Sequence, residues 1–248
     1  MREAATDRAA GSPGDTTRDL LDQALDATDA NDVPYPLDVR AGMALQGYFA
    51  GVNTVAYLYS FMIDVLLRNP DVLARVTDEA DAAYDGDRLA FDRLRDLPAL
   101  HGLVMETLRA YPPAPGSART AIKAFDFEGF RIDQGQRVLV ATCVTHHLPE
   151  HFPDPQRFDL DRDFTAGRKA GVYAPFSVGG HTCLGAGMTQ VLAVATMAIL
   201  VRRLRLVPSR PLRALRITAT PGPNPGKRFM VSASPREDRP TSRREPVR

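Results

Sequence analysis

The chain is short of several kinds of residue, and each shortage excludes a class of protein. Cysteine occurs only at Cys143 and Cys183 among 248 residues, so there is no disulfide framework, and a reducing, cytoplasmic setting is expected. A large excess of charge of one sign is also lacking, because the formal net charge is +1. No global field therefore points to nucleic acid or to a membrane surface as a partner. Basic residues are nearly all arginine, and lysine occurs only at Lys123, Lys169 and Lys227.

Long apolar runs are lacking as well. The longest extends from Val191 to Val201, about eleven residues, whereas a membrane-spanning helix needs about 20. The polar segment from Met1 to Thr17 has no apolar stretch of the kind found in a signal peptide. With 44% hydrophobic and 25% charged residues, the composition is that of an ordinary globular protein with a sizeable core. We therefore expect a soluble protein that does not associate with membranes.

The pattern along the chain predicts mainly helices with a few short strands. Helical spacing is found in residues 18–30, 39–69, 70–84, 88–96, 98–110 and 184–204. Residues 39–69 are apolar almost all round, so this helix is expected to be buried through the middle of the molecule. Residues 125–132 alternate, and residues 137–141 return after a turn, which predicts a hairpin between these two segments. Short strands are also predicted near residues 204–219 and 227–233.

Composition divides the chain into three parts. Residues 1–37 form a polar and partly disordered N-terminal segment, and residues 38–233 form the folded domain. Residues 234–248, rich in proline and arginine, are predicted to be a disordered tail.

The most informative stretch begins at Phe176 and reads FSVGGHTCLGAG. It holds Cys183 in a glycine-rich loop, with His181 two residues earlier, and an apolar helical pattern begins directly afterwards. Glycine lets the backbone approach a ligand closely, and the N-terminus of the following helix favours the anionic form of the sulfur. A loop of this kind presents one thiolate to a large flat cofactor. The alternative is a buried structural cysteine in a glycine-rich turn.

The loop resembles the haem-binding signature of the cytochrome P450 family, which it matches at Phe176, Gly179, His181, Cys183 and Gly185. The resemblance implies haem b as the cofactor, with Cys183 as the axial thiolate ligand of the iron. It also implies that His181 contacts a haem propionate. A thiolate ligand pushes electron density into haem iron and favours cleavage of the O–O bond.

A second motif lies on the helix predicted at residues 98–110. Glu106 and Arg109 are three residues apart and share one helix face, which by itself describes many solvated surface pairs. The nearby run LRAYPP and the later PQRF at residues 155–158 match further features of the same family. The resemblance implies a buried structural network of Glu106, Arg109 and Arg157 that supports the loop of Cys183.

Arg119 and a group of histidines follow this motif. The family usually places an arginine near Arg119 against a haem propionate, and a guanidinium group suits carboxylate geometry. The alternative is an ordinary exposed arginine. His146, His147 and His151 could suggest a metal site, but no second cluster converges on them, so we interpret them as part of an irregular loop.

The middle of the long helix resembles the oxygen-binding groove of the family. Gly51 opens the helix surface, and the hydroxyl of Thr54 can bond back to a carbonyl and bend the helix. The resemblance implies that Thr54, with Asn53, handles oxygen and its protons. The family commonly has an acid where this chain has Asn53, and an amide cannot relay a proton by ionising. A packing glycine beside an ordinary threonine is the alternative.

The resemblance implies a fold that is mainly α with small antiparallel β-sheets, the C-terminal part of a truncated cytochrome P450 fold. The implied activity is that of a bacterial-type monooxygenase, an oxidoreductase that inserts one oxygen atom from O2 into a small organic substrate. Electrons would come from an external redox partner of the ferredoxin or flavin reductase type. The family's N-terminal part has no counterpart here. A haem-binding or inactive fragment without turnover, a chain that needs a separate N-terminal partner chain, and a peroxide-driven enzyme are alternatives.

Overall fold

The structure is a computed structural model that describes residues 20–86, 88–212, 215–219 and 222–237. They belong to two units, one up to Asn53 and the other from Thr54 onward. The described residues contain six α-helices: α1 (Leu20–Leu25), α2 (Leu37–Arg68), α3 (Pro70–Ala83), α4 (Pro98–Ala110), α5 (Thr165–Lys169) and α6 (Ala186–Arg203). Proline begins both α3 and α4, where its missing N–H leaves no helical bond unmade.

The strands form four small antiparallel pairs within the same described residues. The pairs are β1 (Tyr84–Asp85) with β2 (Arg88–Leu89), β3 (Ser117–Thr120) with β6 (Arg137–Val140), β4 (Phe125–Phe127) with β5 (Phe130–Ile132), and β7 (Leu204–Pro208) with β8 (Val231–Pro235). Short 3₁₀ turns lie at Phe91–Asp96, Val144–His147 and Gly179–His181. The predicted fold class, mainly α with small antiparallel sheets, is confirmed.

The core of the second unit lies between α3, α4, α6 and the part of α2 that follows Thr54. Its fully buried side chains include Met62, Val76, Leu100, Leu103, Val194 and Met197. The ring of Phe61 also stacks on Tyr111, with 4.9 Å between centroids. These helices fix the framework on which the irregular segments between residues 141 and 185 are held.

The prediction that α2 is buried along its length is wrong for its first half. Tyr48 and Phe49 are 66% and 69% exposed, whereas Leu58 and Phe61 are buried. Among its described residues, the first unit offers only the short α1 and one isolated β-bridge to cover this stretch. By length and composition α2 could also cross a membrane, and 33% of its most apolar window is buried. The core helices of soluble proteins can have the same length and composition, so these two features do not identify α2 as a membrane-spanning helix.

The predicted hairpin pairs differently from expectation. Glu128 and Gly129 have φ angles of 48° and 82°, which close a tight two-residue turn between β4 and β5. Residues 125–132 are therefore a hairpin by themselves, and the returning strand β6 pairs with β3 instead. The sequence pattern located these strands, but not their partners.

Two further predictions need correction. Residues 88–96 are not one helix, because Arg88–Leu89 pairs as a strand before the 3₁₀ turn. The tail predicted at residues 234–248 begins in ordered structure, because β8 runs to Pro235 and Arg236 binds Asp81 through both carboxylate oxygens at 2.9 and 2.7 Å. Residues 238–248 and 1–19 lie outside the described residues.

Candidate functional site

The loop that carries Cys183 is closed by its own backbone. Gly179 adopts the left-handed region, with φ of 72°, and begins the 3₁₀ turn that ends at His181. The N–H of Cys183 then donates a hydrogen bond of 2.9 Å to the carbonyl oxygen of Phe176. Thr182 also donates its hydroxyl to the Gly179 carbonyl, at 2.8 Å. The backbone thus holds the cysteine in a fixed turn.

The thiol of Cys183 is free and exposed at the start of a long helix. Gly185 is the N-cap of α6, and a Cβ at this glycine would lie 3.8 Å from the cysteine Sγ. The positive end of the dipole of this 18-residue helix therefore lies close to the sulfur. Phe176 is half-buried and packs on the main core, which anchors the other end of the loop.

The loop of Cys183 and the first turns of α6 carry several exposed apolar side chains. They are those of Val178, Leu184, Met188, Val191 and Leu192. A Cβ added at Gly180 or Gly187 would meet nothing within 4 Å, so the backbone itself is open at these positions. Exposed apolar patches of this kind mark binding sites. The arrangement suits a flat apolar ligand that also needs a soft sulfur donor.

A buried ionic cluster stabilises the segments behind this loop. The carboxylate of Glu106 and the guanidinium group of Arg109 are 0% and 1% exposed. Arg109 donates two hydrogen bonds to this carboxylate, at 2.7 and 2.8 Å. It donates two more to the carbonyl oxygens of His146 and Pro155, at 2.8 and 2.9 Å. Because each charge is paired and hydrogen-bonded, burial is tolerated, and α4 is tied to the irregular segment.

The third member of the cluster is Arg162, which corrects the prediction of Arg157. The Nε of Arg162 lies 3.0 and 3.2 Å from the two carboxylate oxygens of Glu106. Arg157 is exposed, and it contributes only its carbonyl oxygen, which accepts a bond of 2.9 Å from Arg162. The chain turns between residues 157 and 162, so the later arginine returns to the carboxylate. The run LDRD at residues 160–163 was the part of the sequence that could have indicated Arg162 as the third member.

His146, which the sequence analysis placed in an irregular loop, is a buried residue of the site. Its ring is 0% exposed and lies against the rings of Tyr173 and Phe152, with centroids 5.3 and 6.3 Å away. One ring nitrogen is 3.3 Å from the carbonyl oxygen of Arg109, and the other accepts the N–H of Ala174 at 3.0 Å. Burial is the main cause that lowers the pKa of His146 from 6.5 to about 4. The histidine is therefore neutral at physiological pH.

The comparison with known families decides the identity of this fold. The family model described as Cytochrome P450 matches residues 2–223. The chain belongs to the cytochrome P450 family. Sterol 14alpha-demethylase of Mycolicibacterium vanbaalenii is 32% identical over 212 residues, which are 82% of this chain and 47% of that protein. Cyclooctat-9-en-7-ol 5-monooxygenase of Streptomyces melanosporofaciens is 34% identical over 172 residues, 66% of this chain and 37% of that protein.

Solved P450 structures show the same fold. The cytochrome P450DA heme domain superposes with a TM-score of 0.82 at 25% identity, covering 94% of this chain and 51% of that one. The retinoic acid bound cyanobacterial CYP120A1 gives a TM-score of 0.81 at 26% identity, covering 94% and 54%. The chain thus covers between 37% and 54% of the length of these curated relatives and solved structures.

The residues of this P450 chain fit the family's cofactor. Iron in haem accepts a cysteine thiolate, and Cys183 is a free, exposed cysteine on an open glycine-rich loop. The exposed apolar side chains of the loop and of the first turns of α6 suit the face of a porphyrin. We conclude that the donor and the surrounding surface are compatible with haem b.

The other residues predicted for the P450 site lie on separate elements. Arg119 is half-buried on β3, where it pairs with Val138 and donates to the carbonyl of Ala118 at 2.9 Å. Asn53 and Thr54 are exposed on α2, and the boundary between the two units falls between them. Their roles toward haem and oxygen stay predictions.

Proposed function

We propose that this chain is the haem-binding part of a haem-thiolate monooxygenase. Such an enzyme inserts one oxygen atom from O2 into a small organic substrate, and the other atom leaves as water. The observation that carries the proposal is the exposed thiol of Cys183, on a loop closed by the bond from its N–H to Phe176 at the start of α6. Membership of the P450 family supports this choice over a structural cysteine, which would be buried.

Each loop residue has a role in holding haem b. Cys183 would supply the axial sulfur, while Phe176, Gly179 and Gly185 shape the loop so that the sulfur is presented at its surface. His181, exposed at the end of the 3₁₀ turn, would donate a hydrogen bond to a propionate. Arg119, with its planar guanidinium group, would bind a propionate from β3. Bound haem would supply the redox chemistry that activates dioxygen.

Proton handling would depend on α2. The hydroxyl of Thr54 can both donate and accept a hydrogen bond, so it can hold a water and pass on its proton. The amide of Asn53 can orient a water but cannot ionise. We therefore propose that Asn53 positions water and that protons come from solvent rather than from an acid at this position.

The substrate and the electron donor complete the proposal. The names of two relatives give a sterol and cyclooctat-9-en-7-ol as the compounds they act on. A small, largely apolar organic molecule is the corresponding substrate class here. An external donor of the ferredoxin or flavin reductase type would supply electrons. A cytoplasmic location is part of the proposal, because a reducing compartment keeps Cys183 as a free thiol.

The carbon monoxide difference spectrum of the reduced, haem-loaded chain tests this proposal. We expect the strongly red-shifted Soret band of a thiolate complex, and its loss in Cys183→Ser. The matched control is Cys143→Ser, because Cys143 is the other free cysteine, is half-buried, and uses only its backbone N–H to bind Pro115. Loss of the band in both variants, or in neither, would reject Cys183 as the ligand.

A second candidate is a haem-binding chain without turnover of its own. One observation favours it: Tyr48 and Phe49 are largely exposed on an apolar helix. A closed, water-poor pocket is needed for efficient oxygen chemistry. Substrate-dependent electron consumption distinguishes the two. Turnover by the chain alone supports the monooxygenase, whereas turnover only after adding a polypeptide equivalent to the relatives' other half supports a requirement for a partner chain.

A further inference from the structure

His146 lies where three segments of the second unit meet. Its backbone carbonyl accepts a bond of 2.8 Å from the guanidinium group of Arg109, and its ring lies 3.3 Å from the carbonyl oxygen of the same residue. The Val144–His147 turn is thereby joined to the end of α4 at two points. The remaining ring nitrogen binds Ala174.

The bond to Ala174 acts on the segment that enters the cysteine loop. Ala174 is buried and lies two residues before Phe176, whose carbonyl oxygen accepts the N–H of Cys183 at 2.9 Å. A continuous series of contacts therefore runs from the Glu106 cluster through His146 and Ala174 to Cys183. The ring of His146 is thus one of the side chains that hold the entry to the loop, beside Tyr173, whose hydroxyl donates to the carbonyl oxygen of Met105 at 2.8 Å.

The hydrogen bonds specify one form of the ring. The Arg109 carbonyl can only accept, so Nδ1 of His146 carries the proton and donates it. Nε2 then has a free electron pair, which accepts the N–H of Ala174. A doubly protonated ring would place an N–H against the N–H of Ala174 and break this contact. The charged groups that face the ring, Arg109 and His147, also oppose a second proton.

We propose that His146, as its neutral Nδ1–H form, is a positioning residue that holds Ala174 and so sets the loop of Cys183 in the geometry needed for thiolate ligation. This inference rests on the proposed haem-thiolate function. It assigns to the buried histidine a role in cofactor binding that acts through Ala174 and the loop.

Two amide substitutions separate the two ring contacts. The side chain of His146→Asn reaches about as far as Nδ1, so it can keep the bond to Arg109 but not the bond to Ala174. The side chain of His146→Gln reaches about as far as Nε2, so its amide oxygen can accept from Ala174. Phe152→Leu is the matched control. It opens space in the same aromatic cluster but leaves the hydrogen bonds of the His146 ring to Arg109 and Ala174 in place.

The first measurement is amide hydrogen exchange in the haem-free chain. We expect His146→Asn to speed exchange at Ala174 and Cys183 by roughly tenfold, as the loss of one buried bond implies. His146→Gln should restore most of the protection, and Phe152→Leu should leave these two amides protected relative to their neighbours. Equal exchange at Cys183 in all variants would overturn the proposal.

The second measurement is the fraction of the haem-loaded chain that gives the red-shifted carbon monoxide band. We expect a large fall in His146→Asn, recovery in His146→Gln, and little change in Phe152→Leu at matched folded fraction. An equal fall in the Asn and Gln variants would also overturn the proposal. A wild-type chain without the band would instead reject the haem-thiolate function, while exchange at Cys183 would still decide whether His146 controls the loop.

Discussion

Arg162 binds the same carboxylate of Glu106 as Arg109 does, with its Nε 3.0 and 3.2 Å from the two carboxylate oxygens. One fully buried carboxylate is thus shared by two guanidinium groups. The excess positive charge is spread over backbone carbonyls, because Arg162 also donates to Pro153 and Asp154 at 2.7 and 3.2 Å. The cluster fixes the course of the chain from residue 146 to residue 162 relative to α4.

We predict that Arg162→Met lowers the free energy of unfolding by about 3 kcal/mol. The substitution removes one of two partners of a buried carboxylate and leaves three carbonyl groups without their donor, a loss of the size seen when buried pairs are broken. Urea denaturation of the haem-free chain, followed by circular dichroism, measures the change.

The control for this prediction is Arg157→Met. The side chain of Arg157 is exposed and its contribution to the cluster is a backbone carbonyl, so the free energy of unfolding should change by less than about 0.5 kcal/mol. A larger loss in the Arg157 variant than in the Arg162 variant would reject the assignment of Arg162.

Gly102 is predicted to be intolerant of any side chain. A Cβ at this position of α4 would collide with the carbonyl oxygen of Leu160 and lie 2.9 Å from its carbonyl carbon. The backbone of Leu160 cannot shift without disturbing its surroundings. Gly102→Ala should therefore lower the free energy of unfolding by about 3 kcal/mol, at the upper end of the destabilisation caused by overpacking. Thermal and urea denaturation would show it.

Gly42→Ala, in α2, is the matched control for Gly102→Ala. A Cβ there meets nothing within 4 Å, so the gain in helix propensity should stabilise α2 by up to about 1 kcal/mol. A stabilised Gly102 variant would contradict the close approach of the Leu160 backbone to α4.

The exposed rings of α2 should affect association rather than stability. Phe49→Gln is expected to reduce aggregation and the binding of an apolar fluorescent dye, with a change in unfolding free energy below about 0.5 kcal/mol. Phe61→Ala, in the buried part of the same helix, should lose about 3 to 5 kcal/mol. If Phe49→Gln destabilised the chain as strongly, its ring would be covered in solution.

The chain should become less stable as the pH is lowered through a window set by His146. Its pKa is lowered by burial from 6.5 to about 4, so between these values the unfolded chain binds a proton that the folded chain excludes. The free energy of unfolding should therefore decrease as the pH falls through this window, by up to about 1.4 kcal/mol per pH unit, and should be independent of this group above it. Arg109 and His147, which face the ring, act in the same direction.

The comparison of wild type with His146→Gln isolates this contribution, since glutamine does not titrate. Urea denaturation at about pH 7 and about pH 5 should show a smaller loss for the variant than for wild type. Equal losses would mean that His146 takes up its proton without opposition in the folded chain.

Several features were accessible from sequence because they are local. The starts of α3 and α4 follow from Pro70 and Pro98, and the loop before α6 follows from its glycines and Cys183. The pairing of β6 with β3 was not accessible, because a positive φ at Glu128 closes the nearer hairpin first. The choice of Arg162 over Arg157 depended on a reversal of the chain that no periodicity records.

The amino-acid sequence by itself determined the helical framework, the mainly α fold class and the glycine-rich loop of Cys183, since each depends on residues adjacent in the chain. Only the tertiary structure decided which arginine completes the carboxylate of Glu106, that the first half of α2 is exposed, and that His146 joins α4 to the segment before the loop. These relationships join residues tens of positions apart. Hydrogen-bond geometry and burial select the partner there, and chain order does not.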